Sequence, residues 1–211
     1  MVLDALRKLS AIKAVTVATY QSVTGSGSAG QQELIQQSEN VLGGTKADLD
    51  VYPHQIAFNI LPHVDDFLSG GYTKEEQKML NESRKILHDE SLAVSATCVR
   101  VPVEISHSES LQIEFESNVE VHDAKHVLSE YDGVLVVDDP SRNEYPMPLT
   151  AAGGDDVLVG RIRKDTAHEN GLALWLSCDN LRKGAALNAL QIMDEALRRN
   201  ALNPASQRIS K

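Results

Sequence analysis

Arg100 and His107 are the side chains of this sequence best suited to chemistry, one as a fixed cation and one as a proton carrier. Strand alternation puts Val99, Val101 and Val103 on one face, and Arg100 with Cys98 and Ala96 on the other. A guanidinium held among small and apolar neighbours is costly unless a carboxylate or phosphate meets it, and either can be bound in two-pronged fashion. The plainer alternative is an internal ion pair with a glutamate. His107 follows that strand in Ser106-His107-Ser108-Glu109-Ser110, where a histidine among hydroxyls can exchange protons near neutral pH. Glu75, Lys78 and Glu82 fall at i, i+3 and i+7 of a helix that begins after Thr73. Taken alone they read as a solvated stripe with a weak ion pair. Cys98 and Cys178 read as small buried hydrophobes with no helix N-terminus beside them, and they lack metal-ligand spacing. No metal site is expected.

The stretch Gly25-Ser26-Gly27-Ser28-Ala29-Gly30 is a literal G-x-G-x-x-G, and Asp48 and Asp50 lie near the offset of a ribose-binding acid. Its context argues against a dinucleotide turn. Gln21 to Thr24 separate the glycines from the preceding strand, the following helix is too polar to pack on a sheet, and no second parallel strand precedes Asp48.

The elements that must position these residues can be read in order. An apolar helical pattern over Met1–Leu9 has no capping residue ahead of it, and Ile12–Tyr20 alternates as a strand. A Gly/Ser loop over 24–30 precedes a polar helix from Gln31 to about Leu42. A short strand is expected over Ile56–Leu61, and Thr73 with Glu76 forms a capping box that starts a helix to about His88. Leu92–Ile105 and Leu111–Glu116 are strands, Asp123–Tyr131 a helix, and Val134–Val137 a buried strand. Val157–Ile162 and Leu172–Leu176 are further strands before a final helix over 181–199. Strands and helices interleave without a linker, which predicts one mixed α/β or α+β domain over residues 1–211, a mixed sheet with helices; the resemblance given below favours α+β.

Composition removes several function classes. With 42 % hydrophobic and 24 % charged residues in a chain of 211, the sequence suits one globular domain rather than a disordered chain. A formal charge of −10 argues against nucleic-acid and anionic-membrane partners, and 4 % aromatics gives no stacking platform for single strands. No segment reads as a signal peptide or a membrane span, so the expected location is cytoplasmic.

Several ordered blocks share one resemblance. They are Ala18-Thr19-Tyr20-Gln21, Pro53-His54-Gln55-Ile56-Ala57-Phe58-Asn59, Asn81-Glu82-Ser83-Arg84-Lys85-Ile86-Leu87, and Thr97-Cys98-Val99-Arg100-Val101-Pro102 leading to His107-Ser108-Glu109-Ser110. Val159-Gly160-Arg161-Ile162-Arg163 and Asp179-Asn180-Leu181-Arg182-Lys183-Gly184-Ala185-Ala186 continue the series. From about residue 12 to residue 197 the chain resembles the C-terminal half of aspartate-semialdehyde dehydrogenases, whose fold is similar to the glyceraldehyde-3-phosphate-dehydrogenase-like C-terminal domain. That family reduces β-aspartyl phosphate to aspartate β-semialdehyde with NADP(H), through an acyl thioester on a cysteine, on the way to lysine, threonine and methionine.

The resemblance implies a role for each residue. His107 is the acid/base that serves the cysteine, and Gln21 positions the acyl group. Arg100 clamps the substrate α-carboxylate, Glu75 holds its amino group, and Lys78 meets the phosphate, so that Lys78 and Arg100 converge on one anion pocket. Thr24, Gly25 and Asn180 touch the nicotinamide end of NADP. The family's nucleophile stands in an Asn-Cys motif at the start of a helix, preceded by a dinucleotide-binding domain, and neither Cys98 nor Cys178 lies in such a motif. Residues 1–11 then read as the remnant of the helix that follows that cysteine, and the chain as a substrate-binding and dimerisation domain, inactive alone. A homodimer through the sheet is expected, with an apolar scar at Leu3, Leu6, Leu187 and Leu190. The alternatives are an N-acetyl-γ-glutamyl-phosphate reductase-like domain and a non-catalytic dimerisation module.

Overall fold

A computed structural model describes residues 1–201; residues 202–211 of the expected domain lie outside the described residues. Six strands form one sheet in the order β2-β1-β3-β6-β5-β4. They are β1 (Ile12–Gln21), β2 (Ala93–Arg100), β3 (His107–Phe115), β4 (Val134–Val136), β5 (Val157–Lys164) and β6 (Gly171–Cys178). The β1–β2 and β4–β5 pairs at the two edges are parallel, and the three pairs between them are antiparallel. The expected mixed sheet with helices is what the chain forms.

The register stacks the sheet into rows on one face. Val15 pairs with Ile113 and Ile113 with Leu172; Val17 pairs with Leu111 and Leu111 with Leu174. These residues are buried and join Leu6, Leu87, Ala124 and Leu128 in one core. The last four belong to or flank helices α1 (Val2–Leu6), α3 (Lys74–Leu87) and α4 (Val121–Ser129), which therefore cover that face. The opposite face leaves Thr16, Ser95 and Thr97 exposed and Tyr20 and Trp175 half-buried, their rings 5.1 Å apart.

Helix α3 begins where its sequence predicts. The Thr73 hydroxyl accepts the Glu76 N–H at 3.2 Å, and the Glu76 carboxylate accepts the Thr73 N–H at 2.8 Å. It ends at His88 in the left-handed region (φ 53°), with Arg84 and Lys85 in the last turn beside the negative helix end.

Four expectations about the elements need correction. The Gly/Ser stretch is helical: a 3₁₀ turn over Val23–Ser26 runs into α2 (Gly27–Leu42), four residues ahead of the expected start at Gln31. Ile56–Leu61 is not a strand. Gln37 Oε1 accepts the Ile56 and Ala57 N–H groups at 2.8 and 3.2 Å, and Phe58 turns left-handed, so only Leu61 reaches the sheet, bridging Arg100. The second strand stops at Arg100 and the third starts at His107, so His107 opens β3. The final helix begins as a π-turn (Arg182–Ala186) before α6 (Leu187–Arg198), and α6 has no buried residue. A one-turn helix, α5 (Pro148–Ala151), lies between β4 and β5.

Candidate functional site

The register that builds the core also builds a polar row at one end of the same face. Arg100 closes β2 and pairs with Gln21, which closes β1. Tyr20 pairs with Ser108, so the next step of the register sets Gln21 beside His107, and His107 pairs with Cys178 at the end of β6. Arg100, Gln21, His107 and Cys178 thus cross four strands side by side. Directly beneath lies a second row of Cys98, Thr19, Glu109 and Leu176.

Arg100 is buried, and its Nη1 donates to the Ser22 carbonyl at 2.6 Å. Among the described residues no carboxylate lies within ion-pair distance of it, so the internal salt bridge that the sequence allowed is absent. Arg100 lines a cleft of about 220 Å³ with Tyr52, Leu61, His63 and Asp65. Lys78 lines a neighbouring groove with Leu68, Gln77 and Glu82. The link between them is Glu75, whose carboxylate accepts from Lys78 Nζ at 3.0 Å and from Gln21 Nε2 at 3.3 Å. The solvated stripe is therefore only half a stripe. Glu75 faces the sheet row while Glu82 stays at the surface.

Burial pushes the His107 ring down to about 4, helped by the nearby Arg100 cation, so the ring is neutral at pH 7. Its Nδ1 accepts the Ser22 backbone N–H at 3.1 Å and stands 3.1 Å from the Ser22 hydroxyl. The far ring edge faces Gly25: a Cβ there would stand 3.5 Å from Nε2 and 2.7 Å from Arg100 Nη1. Only a glycine leaves both groups open at that point. Thr24 and Asn180 meet beside it, with Asn180 Nδ2 donating to the Thr24 hydroxyl at 3.2 Å. The structure thus brings together Gln21, Thr24, Gly25, Glu75, Arg100, His107 and Asn180, with Lys78 joined through Glu75.

Neither thiol is a ready nucleophile. Burial pushes Cys98 up to about 11 and Cys178 up to about 12. Burial also raises Glu109 to about 7. Glu109, Ser22 and Ser106 were missed as site components by sequence reasoning. The alternation that placed Arg100 also puts Glu109 on the face of His107, a usable signal; the hydrogen-bond roles of Ser22 and Ser106 depend on turns that leave no pattern.

Comparison with known proteins bears on this arrangement. Residues 3–183 match the domain family described as "Semialdehyde dehydrogenase, dimerisation domain". Aspartate-semialdehyde dehydrogenase of Aquifex aeolicus (strain VF5) is 52 % identical over 87 % of this chain and 54 % of its own length. That of Legionella pneumophila is 50 % identical over 87 % of this chain and 53 % of its own. The chain spans about half the length of these relatives. Among solved structures, aspartate semialdehyde dehydrogenase II of Vibrio cholerae, complexed with ASA, superposes with a TM-score of 0.90 at 40 % identity, covering 93 % of this chain and 58 % of that one. The Candida albicans enzyme with NADP gives a TM-score of 0.68 at 26 % identity, over 95 % of this chain and 55 % of its own. The chain belongs to the semialdehyde dehydrogenase family, through its dimerisation domain, and its relatives there are aspartate-semialdehyde dehydrogenases.

Proposed function

We propose that this chain is the substrate-binding and dimerisation part of an NADP-dependent aspartate-semialdehyde dehydrogenase, which reduces β-aspartyl phosphate to aspartate β-semialdehyde in lysine, threonine and methionine synthesis. The observation that carries the reading is Arg100: a buried guanidinium in a row with Gln21 and His107, without a carboxylate partner among the described residues. Such a group is completed by an anion that arrives.

Each residue then has a task its geometry permits. Arg100 takes the substrate α-carboxylate, and Glu75 its α-ammonium. In the free chain Lys78 occupies Glu75, so an arriving ammonium displaces it and frees Nζ for the phosphoryl group. Gln21 holds the acyl group beside His107, which transfers the proton of the reacting thiol. Thr24, Gly25 and Asn180 fit the nicotinamide end of the cofactor: the side-chain-free Gly25 leaves a flat approach beside His107, and a hydroxyl and an amide flank it. When bound, NADP(H) supplies the hydride. We further propose a homodimer through the open sheet face, a single domain over the whole chain, and a cytoplasmic setting, the last supported by two unpaired cysteines.

The chain alone is expected to show no turnover, because both of its thiols are held protonated. It is expected to bind inorganic phosphate and L-aspartate, and calorimetric titration of the parent, Arg100→Gln and Lys78→Gln chains tests this. Affinity should fall about tenfold or more for L-aspartate in Arg100→Gln and for phosphate in Lys78→Gln, each the loss of one charge-assisted contact. Equal binding by all three chains overturns the assignment.

A further inference from the structure

Glu75 has two partners in the free chain, and they are not equally free to leave. Its side chain is 19 % exposed and stands in the first turn of α3, just behind the Thr73 cap. One carboxylate oxygen, Oε1, accepts from Gln21 Nε2 at 3.3 Å, and the other, Oε2, accepts from Lys78 Nζ at 3.0 Å. Gln21 is buried and fixed by the sheet register beside Arg100. Lys78 is 54 % exposed on a flexible stem, one helical turn from Glu75. Exposed pairs of that kind are weak, so Lys78 is the partner that yields.

A substrate α-ammonium is the same kind of donor as Nζ, a compact cation with three N–H groups. When it takes the place of Lys78 on Oε2, Glu75 remains paired with one ammonium and no carboxylate is left bare. The change falls on Lys78. Its Nζ regains all three donors and loses its close counter-charge. Glu82 and Asp65 act on it only at a distance, and among the described residues neither comes within ion-pair reach. A cation released in this way binds an anion more tightly. The reverse holds by linkage: an anion that draws Lys78 away clears Glu75 for the ammonium, by the same factor.

We propose, on the reading of Glu75 and Lys78 as substrate contacts, that their ion pair is an exchange contact that makes amino-acid and phosphate binding cooperative. An α-ammonium on Glu75 releases Lys78 to phosphate, and phosphate on Lys78 releases Glu75 to the ammonium. A ligand with a carboxylate and no free ammonium leaves the pair closed. The site therefore selects free α-amino acids over des-amino or N-acylated ones twice, once at Glu75 and again through the phosphate end.

Calorimetric titration of the full chain tests this with inorganic phosphate, L-2-aminobutyrate and butyrate. Saturating L-2-aminobutyrate should raise phosphate affinity about two- to fivefold, the worth of one exposed ion pair. Butyrate, with the same chain and carboxylate but no ammonium, should not. Lys78→Gln should separate the terms. Phosphate binds more weakly, L-2-aminobutyrate binds about two- to fivefold more tightly because nothing competes for Glu75, and the coupling disappears. Were the gain only the field of the added ammonium, it would survive in Lys78→Gln. Glu82→Gln keeps the ion pair and should keep the coupling. Carbon-13 lysine labelling reads the exchange without phosphate. The Lys78 Cε signal, assigned by its loss in Lys78→Gln, should move on adding L-2-aminobutyrate toward its position in Glu75→Gln, and stay put with butyrate. Independent binding of the two ligands, coupling that survives Lys78→Gln, or a Lys78 signal indifferent to the amine overturns the proposal while the functional reading stands. A chain that binds neither ligand overturns both, and the absence of any heat marks that case.

Discussion

At the scale of single residues, the site depends on what the row of Arg100, Gln21 and His107 lacks as much as on what it holds. Gly25 supplies a bare backbone between a guanidinium and an imidazole. A methyl group there would stand 2.7 Å from Arg100 Nη1, so the guanidinium must move off the Ser22 carbonyl or the turn must give. Gly25→Ala should therefore fold and yet bind L-aspartate about tenfold more weakly in calorimetry, since Arg100 loses its fixed position. The two titrating groups of the paired rows act on stability in opposite directions. His107, lowered to about 4 from 6.5, is protonated more readily in the unfolded chain, so stability falls as pH drops from about 6.5 to about 4, by on the order of 3 kcal/mol. Glu109, raised to about 7 from 4.5, keeps its proton better when folded, so its contribution is full below about 4.5 and is lost as pH rises through 7. Thermal melts of Glu109→Gln should exceed the parent at about pH 8 and match it at about pH 4; the reverse order would mean that the folded state favours the carboxylate. The face shared by Arg100 and Cys98 was legible from alternation alone, and the register adds Glu109 by the same rule. Ser106 was not. Its φ of 82° is dictated by the turn between β2 and β3, and nothing in the residue type serine announces it.

At the scale of elements, α3 is the piece whose position decides whether Glu75 and Lys78 can reach the row. Its capping box does two jobs, because the Glu76 carboxylate that completes the box also accepts the Cys98 N–H at 3.0 Å. The start of the helix is thereby pinned to β2, two residues from Arg100, and Glu75 follows one residue before that pin. Thr73→Ala removes the cap alone and should cost about 1 kcal/mol. Glu76→Ala also leaves a buried strand N–H without its acceptor and should cost more, about 2 kcal/mol or above, in urea unfolding. Equal losses would mean that the link to β2 carries no energy. This helix was readable because its capping signals are local and its strands alternate over many residues. The stretch from Val23 to Leu61 was misread because long-range polar contacts shape it. Glu33 and Gln37, spaced one turn apart on α2, turn their side chains to the 48–57 segment: Glu33 takes the backbone N–H groups of Asp50, Val51 and Tyr52, and Gln37 Nε2 gives to the Asp48 carbonyl at 2.6 Å. A helix judged too polar to pack on a sheet packs instead on a loop whose backbone it satisfies. Gly30 belongs to that contact and not to a phosphate turn, since a Cβ there would stand 2.6 Å from the Tyr52 hydroxyl.

At the scale of the whole molecule, two surfaces lack cover among the described residues. The expected scar divides unequally: Leu6 is fully buried in the core and Leu3 and Leu187 are half-buried, so α1 contributes little. Leu190, Ile192, Met193 and Leu197 of α6 are 47–61 % exposed and none is buried, which leaves the apolar surface on the final helix. The second surface is the open sheet face, where small polar side chains surround the Tyr20–Trp175 pair, and a groove beside it is lined by Tyr145, Arg161 and Arg163. The two can be separated experimentally because they should respond differently. A flat sheet face meeting its own copy about a two-fold axis forms a closed dimer, whereas an unpaired helical stripe drives open-ended association. Light scattering at micromolar concentration should give a dimer from the parent chain, burying more than about 1,000 Å² if it is a specific interface. Thr16→Glu, placed in the middle of β1 on the open face, should yield monomers, because two copies would meet like charge with like. Leu190→Glu with Met193→Glu should suppress larger species and leave the dimer. With a net charge of −10 on each copy, added salt should tighten the dimer by screening their repulsion. A parent chain that stays monomeric at every salt concentration would show that the open face alone does not hold two copies together. A dimer broken by the α6 substitutions and spared by Thr16→Glu would move the interface to the final helix.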